Sequence, residues 1–166
     1  MTRAPGVGCG AAIVRDGRLL LVKRRRPPEA GCWNLPGGKV DFGERVADAI
    51  QREILEEIGV GIELTRPLGL VEMVGIDDQH WVSPIYLAEI VSGEPVNREP
   101  GKHEAVLWAP LDAPPSPLAL AARAAIGAIT RDREFDDVGA VSLPHEGGGN
   151  GSRAGDPTDR GAQRHG

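Results

Sequence analysis

The sequence predicts an α/β domain, and three observations carry that expectation. Short apolar runs rich in β-branched residues flank tight-turn dipeptides, a central segment repeats apolar residues at helical spacing and stops at a glycine, and an Ala-rich amphipathic segment follows the last run. A chain of 166 residues, 40% of them hydrophobic, can bury one core, so one domain is expected rather than two.

The first element is the stretch GVGCGAAIVRDGRLLLVKR, in which Ala11 to Val14 and Leu19 to Val22 are separated by Asp16-Gly17. That dipeptide suits a tight hairpin turn, so these two strands are expected to pair. Pro27, Pro28, Gly31, Pro36, Gly37 and Gly38 then rule out a regular helix and imply a structured loop. A helix is expected from about Glu44 or Arg45 to Ile58, closed by Gly59 as its C-cap. ELTRPLGLVEMVGI and HWVSPIYLAEIV read as two strands with Asp77-Asp78 in the turn, and AVLWAP reads as a further short strand, with Trp108 expected in the core. The Ala-rich helix is expected at about Leu118 to Thr130, with its stripe packed on the domain or, as the alternative, on a second copy. The domain is accordingly assigned to residues 1–135. Residues 136–166 are Gly-rich and charged, cannot bury enough surface to offset their ordering entropy, and are expected to form a disordered tail that includes His145 and His165.

Charge and composition exclude several classes. The net charge of -5 gives no general attraction to nucleic acid or anionic lipid, and no apolar run is long enough to span a bilayer. Met1 to Gly10 lacks the continuous apolar run of a secretory leader, so a soluble cytoplasmic protein is expected. Cys9 and Cys32 are too few for a disulfide scaffold and lack metal-ligand spacing, which leaves reduced, semi-buried thiols.

The central helix poses a physical problem. Glu53, Glu56 and Glu57 share one face, where like charges each cost about 0.2–0.5 kcal/mol. At about 100° per residue, Ala47, Ile50, Ile54, Leu55 and Ile58 form an apolar arc, and Arg52, Glu53, Glu56 and Glu57 form the neighbouring one. A solvated face helped by an Arg52–Glu56 pair is one reading. The preceding Gly37-Gly38, which lets backbone approach a ligand, favours another: an all-oxygen site suited to Mg²⁺ shared with substrate phosphates.

Gly38, five residues, Glu44, seven residues, and then REILEEIGV (Arg52 to Val60) resembles the Nudix box, the signature of the Nudix hydrolase family. The similarity runs from about Pro5 to Ile129, and YLAEIVSGEPVNREPGKHEAVLWAP is most similar to the MutT-like nucleoside triphosphate diphosphatases. The resemblance implies an α/β/α sandwich around a mixed β-sheet and water attack on a nucleoside diphosphate derivative with Mg²⁺ or Mn²⁺. A (deoxy)nucleoside triphosphate, oxidised bases included, yielding monophosphate and pyrophosphate is the first substrate expectation; ADP-ribose or another sugar-nucleotide is the second, and a non-catalytic nucleotide-binding module the third. The expected partner is a small-molecule nucleotide rather than nucleic acid, with the protein a monomer or homodimer.

The same resemblance implies roles. Glu53 and Glu57 are expected as metal ligands, Glu56 as a further ligand or a holder of water, and Gly37 as a backbone-carbonyl ligand with Gly38 the alternative. Arg52 is expected to brace the glutamates, and Glu44 to tie loop to helix. The general base is Glu53 or a later carboxylate, for which Glu104 is the candidate. Arg24 is expected on the substrate phosphates, with a solvated basic strand end as the other reading. Trp33 is expected to stack on a base or to anchor its loop, Asn34 is a candidate to bond a base edge, and His80 and Trp81 begin a strand that could line the base pocket, with a plain surface residue as the other reading of His80.

Overall fold

The computed structural model describes the backbone of residues 4–139 and the side chains of residues 4–132. Strands β1 (Gly6–Arg15) and β2 (Arg18–Arg24) turn at Asp16-Gly17, where both residues take positive φ, 50° and 73°. The expected pairing holds only at the turn, through Val14↔Leu19 and Arg15↔Arg18. Beyond it the strands part. β3 (Trp33–Asn34) and β4 (Gly37–Lys39), short strands within the Pro/Gly loop, pair with β2 and β1 respectively.

Helix α1 (Val46–Ile58) follows and ends at Gly59, whose left-handed φ of 75° and N–H bond to Leu55 O form the expected C-cap. Arg98 fills the space a Gly59 side chain would need, with its Nε 2.4 Å from an ideal Cβ position. β5 (Gly61–Ile76) and β6 (Gln79–Ser92) then form a long antiparallel hairpin around Asp77-Asp78. β6 lies parallel to β1, and β7 (His103–Pro110) lies antiparallel to β2. The result is a seven-stranded mixed sheet of path β3-β2-β1-β6-β5, with β4 on β1 and β7 on β2.

Strands covered on both faces must be apolar on both, which explains the unbroken runs of β1 and β2. Cys9, Ala11, Ile13, Leu20 and Val22 pack with Ile50, Ile54 and Ile58 of α1. The alternate residues Ala12, Leu19 and Leu21 pack with Ala122, Ala125 and Ile129 of α2 (Leu120–Gly139). One helix on each face makes the α/β/α sandwich.

Three expectations are corrected. Ala47 and Leu55 are exposed, Leu55 by 51%, whereas Glu53 and Glu57 are buried, so α1 is rolled toward its carboxylates. Gly38 permits this roll: a Cβ there would lie 2.3 Å from Glu53 Cδ. α2 begins two residues later than expected and continues past Thr130 to Gly139. Trp108 is partly rather than fully buried: it packs against the α1-side core, and the Arg15 guanidinium lies 5.0 Å from its ring centroid. Residues 140–166, with His145 and His165, lie outside the described residues. Cys9 and Cys32 are both free, and among the described residues no helix is long and apolar enough to cross a membrane.

One residue fastens the loop between β2 and β3. The Glu29 N–H donates to Asp77 Oδ2 at the β5–β6 tip, and its Oε1 accepts from Leu120 N–H at the start of α2, both at 2.8 Å. The second bond places a carboxylate at a helix N-terminus, where the dipole favours negative charge.

The roll of α1 makes a direct prediction. Ile54→Ala lowers stability by about 3 kcal/mol through cavity formation, and Leu55→Ala by about 1 kcal/mol or less, read by urea denaturation. Equal losses would place Leu55 in the packed face.

Candidate active site

A cleft of about 420 Å³ opens where β1 and β2 part, and residues of both strands line it. Gly8 of β1 keeps the floor low: a Cβ there would lie 2.4 Å from Ser83 Oγ. Val71 and Met73 of β5 and Trp81 and Ile85 of β6 supply apolar lining, α1 supplies Glu53 and Glu57, and Arg24, Arg26 and Lys102 supply positive charge. Apolar surface beside carboxylates and cations suits a ligand with a flat, weakly polar part and a highly charged one.

The carboxylates are held by a single guanidinium. Arg52 Nε and Nη2 donate to the two oxygens of Glu44 at 2.8 and 2.9 Å, Nη1 donates to Glu53 Oε1 at 2.9 Å, and Nη2 also reaches Lys39 O at 3.1 Å. Glu56, exposed, takes a longer 3.4 Å contact from Nη1. Glu44 Oε2 in turn accepts from Asp41 N–H at 3.1 Å, so the loop before α1 is tied to the helix through this pair.

These contacts set the protonation of the group. The Arg52 guanidinium holds the Glu44 carboxyl down at about 2, and Glu44 in turn pushes Arg52 further above its ordinary value. Burial pushes Glu53 up, against the downward pull of Arg52. Cys9, beside the same strand pair, is pushed up to about 11 by burial, so its thiol stays protonated at neutral pH.

Glu57 is placed differently. Its Oε2 accepts from Gly37 N–H at 2.9 Å and its Oε1 lies 3.0 Å from His103 Nε2. Gly37 must be glycine, since its φ is 151° and a Cβ would lie 2.2 Å from Cys9 O. The chain after β6 brings a second carboxylate alongside: Val96 N–H donates to Ile58 O and Arg98 N–H to Glu57 O, satisfying carbonyls that the last turn of α1 leaves open. Asn97 then bonds His103 O and Glu99 N–H, and Glu99 O accepts from both Lys102 and His103 N–H, folding Glu99 back toward His103. Donor atoms of Glu57, Glu99 and His103 all come within 4.8 Å of one another, so these three could hold a cation. Lys102 Nζ pairs with Glu99 Oε2 at 2.9 Å, and this bond raises the lysine's pKa.

Of the residues singled out from sequence, Arg24, Asn34, Gly37, Gly38, Glu53, Glu57 and Trp81 line the cleft. Arg24 spends its Nε on Pro28 O at 2.7 Å, and Asn34 Oδ1 accepts from Leu35 N–H at 2.9 Å, so both also fix the loop that carries them. Arg52 stands behind the carboxylates. Trp33 is not brought to the cleft: its backbone bonds Pro117 O and Ala119 N–H, and its ring packs with the α2 cluster. Glu104 is turned to the exposed side of β7 and pairs with Lys23 at 3.1 Å, because strand alternation sends it opposite to the buried His103. His80 sits near Glu72, outside the cleft lining. Glu99, Lys102 and His103 were not singled out, although Pro100-Gly101 between Glu99 and His103 signals the turn that joins them.

Two helices sandwiching a mixed sheet, with a Gly-rich strand and a glutamate helix meeting at a cleft, define a Nudix domain. The chain belongs to the Nudix family, since the NUDIX domain model matches residues 2–130. Among solved structures it is similar to a MutT NUDIX hydrolase from Burkholderia pseudomallei, at 53% identity and a TM-score of 0.74, covering 76% of this chain and 99% of that one. It is 36% identical over 91 residues to the ADP-ribose pyrophosphatase of Methanocaldococcus jannaschii, covering 54% of each. It is also 34% identical over 88 residues to the oxidized purine nucleoside triphosphate hydrolase of Danio rerio, covering 52% of this chain and 56% of that one. The chain thus spans about half the length of these two curated relatives.

Two outcomes test the Arg52 arrangement. Arg52→Ala leaves the buried Glu53 charge without its partner and lowers stability by about 2–3 kcal/mol at pH 7, read by thermal or chemical denaturation. Glu44 titrates at about 2 when folded against an ordinary 4.5, so its contribution is complete above pH 4.5 and is lost as the pH falls toward 2. Glu44→Gln therefore loses less stability than the parent over that interval; parallel losses would remove Glu44 from the account.

Proposed function

We propose that this chain hydrolyses a phosphoanhydride bond in a (deoxy)nucleoside triphosphate, bases with oxidative damage included, to the monophosphate and pyrophosphate. The observation that carries the reading is the meeting of Glu53 and Glu57 with Arg24, Arg26 and Lys102 around one cleft that also has an apolar lining. Trp81 and Met73 offer the base a surface to pack on, and Asn34 offers it a hydrogen-bonding edge. Arg24 and Arg26 suit the triphosphate, because a guanidinium fork matches phosphate oxygens.

Glu53 and Glu57 would hold a divalent cation, with the Gly37 carbonyl and Glu56 completing the set, and Mg²⁺ or Mn²⁺ suits those oxygen donors. When bound, the cation supplies positive charge that offsets both the phosphates and the clustered glutamates. In the reaction, a water oxygen forms a bond to phosphorus, the bond to the bridging oxygen breaks, and pyrophosphate leaves with that oxygen's electron pair. The water's proton goes to a carboxylate of the cleft, for which Glu53 is the candidate. Glu104, ion-paired on the far side of its strand, offers little support for that role. Arg52 keeps Glu53 aimed and ionised before each turnover. The nucleotide is a small diffusible partner, and we assign the activity to the cytoplasm.

A second reading, hydrolysis of ADP-ribose or another sugar-nucleotide, is favoured by the relative of that name. Phosphate and pyrophosphate release from dGTP, 8-oxo-dGTP, dCTP and ADP-ribose, with Mg²⁺ and with EDTA, separates the two. Metal-dependent pyrophosphate from a triphosphate is expected; turnover of ADP-ribose alone would support the second reading, and silence from folded protein would support a nucleotide-binding module. Glu57→Gln is expected to lower turnover by at least about a hundredfold while circular dichroism stays unchanged.

A further inference from the structure

Buried polar groups in a folded protein nearly always have hydrogen-bond partners. His103 departs from that rule. It is 3% exposed on β7, it lines the cleft, and among the described residues neither ring nitrogen has a hydrogen-bond partner. Nε2 lies 3.0 Å from Glu57 Oε1, yet outside the geometry of a hydrogen bond. That separation equals the roughly 3 Å between adjacent donors on one six-coordinate ion with bonds of about 2.1 Å.

The rest of the pocket is arranged around the same point. Glu57 gives Oε2 to the Gly37 N–H, which leaves Oε1 on the His103 side. Glu99 is folded in by the Asn97 bonds, and Lys102 Nζ lies 2.9 Å from its Oε2. Two carboxylates and an imidazole thus converge within 4.8 Å. We infer that Glu57, Glu99 and His103 form a mixed nitrogen and oxygen cation site that prefers Mn²⁺, Co²⁺ or Zn²⁺ to Mg²⁺. Imidazole binds the later first-row dications well, whereas Mg²⁺ takes oxygen donors and gains little from a ring nitrogen. The inference rests on the proposed hydrolase reading and adds Glu99 and His103 to the oxygen donors named there around Glu57, and its test does not depend on turnover.

The chain has four histidines, so replacing His80, His145 and His165 together by Gln leaves His103 as its sole imidazole. Full-length triple variant loaded with Mn²⁺ is expected to show nitrogen-14 modulation in electron spin-echo spectra. No such modulation overturns the site. Calorimetric titration adds a second readout: in His103→Gln, Co²⁺ affinity falls by at least about tenfold while Mg²⁺ affinity changes less than about threefold. Equal losses for both ions, or none, also overturn it. Pyrophosphate release without nitrogen modulation would leave the hydrolase reading standing and remove this site; modulation without turnover would do the converse.

Discussion

The structure around the cleft depends on where one positive charge sits. Arg52 reaches Glu44, Glu53, Glu56 and a backbone carbonyl of β4 from one planar fork, so it joins the loop before α1 to the helix and the helix to the sheet. Burying a carboxylate without such a partner is expensive. With it, α1 can turn Glu53 and Glu57 inward and leave Leu55 in solvent, an arrangement that hydrophobic burial alone disfavours. The glycines of β4 then matter for steric reasons, since any side chain at Gly38 would collide with the carboxylate that Arg52 holds.

Sheet topology supplies the second condition. Had β1 and β2 stayed paired along their length, the hairpin would have closed the space that the cleft occupies. Instead β1 pairs with β6 and β4, β2 pairs with β7 and β3, and the fork between them holds the ligand-facing side chains. The local turn signal at Asp16-Gly17 is satisfied in either arrangement. Only the distant strands distinguish them.

That distinction marks how far the sequence is legible. α1 and its Gly59 cap, the β5–β6 hairpin and the turn at Asp16-Gly17 are local features, and each follows from residues close in the chain. The box residues are legible because their spacing resembles a known pattern. The roll of α1 is not, because counting apolar positions gives Ala47 and Leu55 to the interior while contacts outside the helix, from Arg52 to Glu44 and Lys39 and from Glu53 to Gly38, decide otherwise. Glu99 and His103 are hidden for a related reason: the chain joins them to Glu57 through backbone bonds from Val96 and Arg98, which no periodicity reveals. Trp33 takes the second of the two roles its sequence leaves open, since its backbone bonds Pro117 and Ala119 and its ring packs on the α2 side.

The contacts of Glu29 carry a consequence for assembly. Its backbone bond spans 48 positions and its side-chain bond spans 91, so one loop residue needs the β5–β6 hairpin for the first bond and α2 for the second. Closing such long intervals is entropically unfavourable until neighbouring structure brings the ends together. The rim of the cleft therefore hangs on two distant elements at once, and the mouth around its ligand is complete only when the β5–β6 hairpin and α2 are both in place.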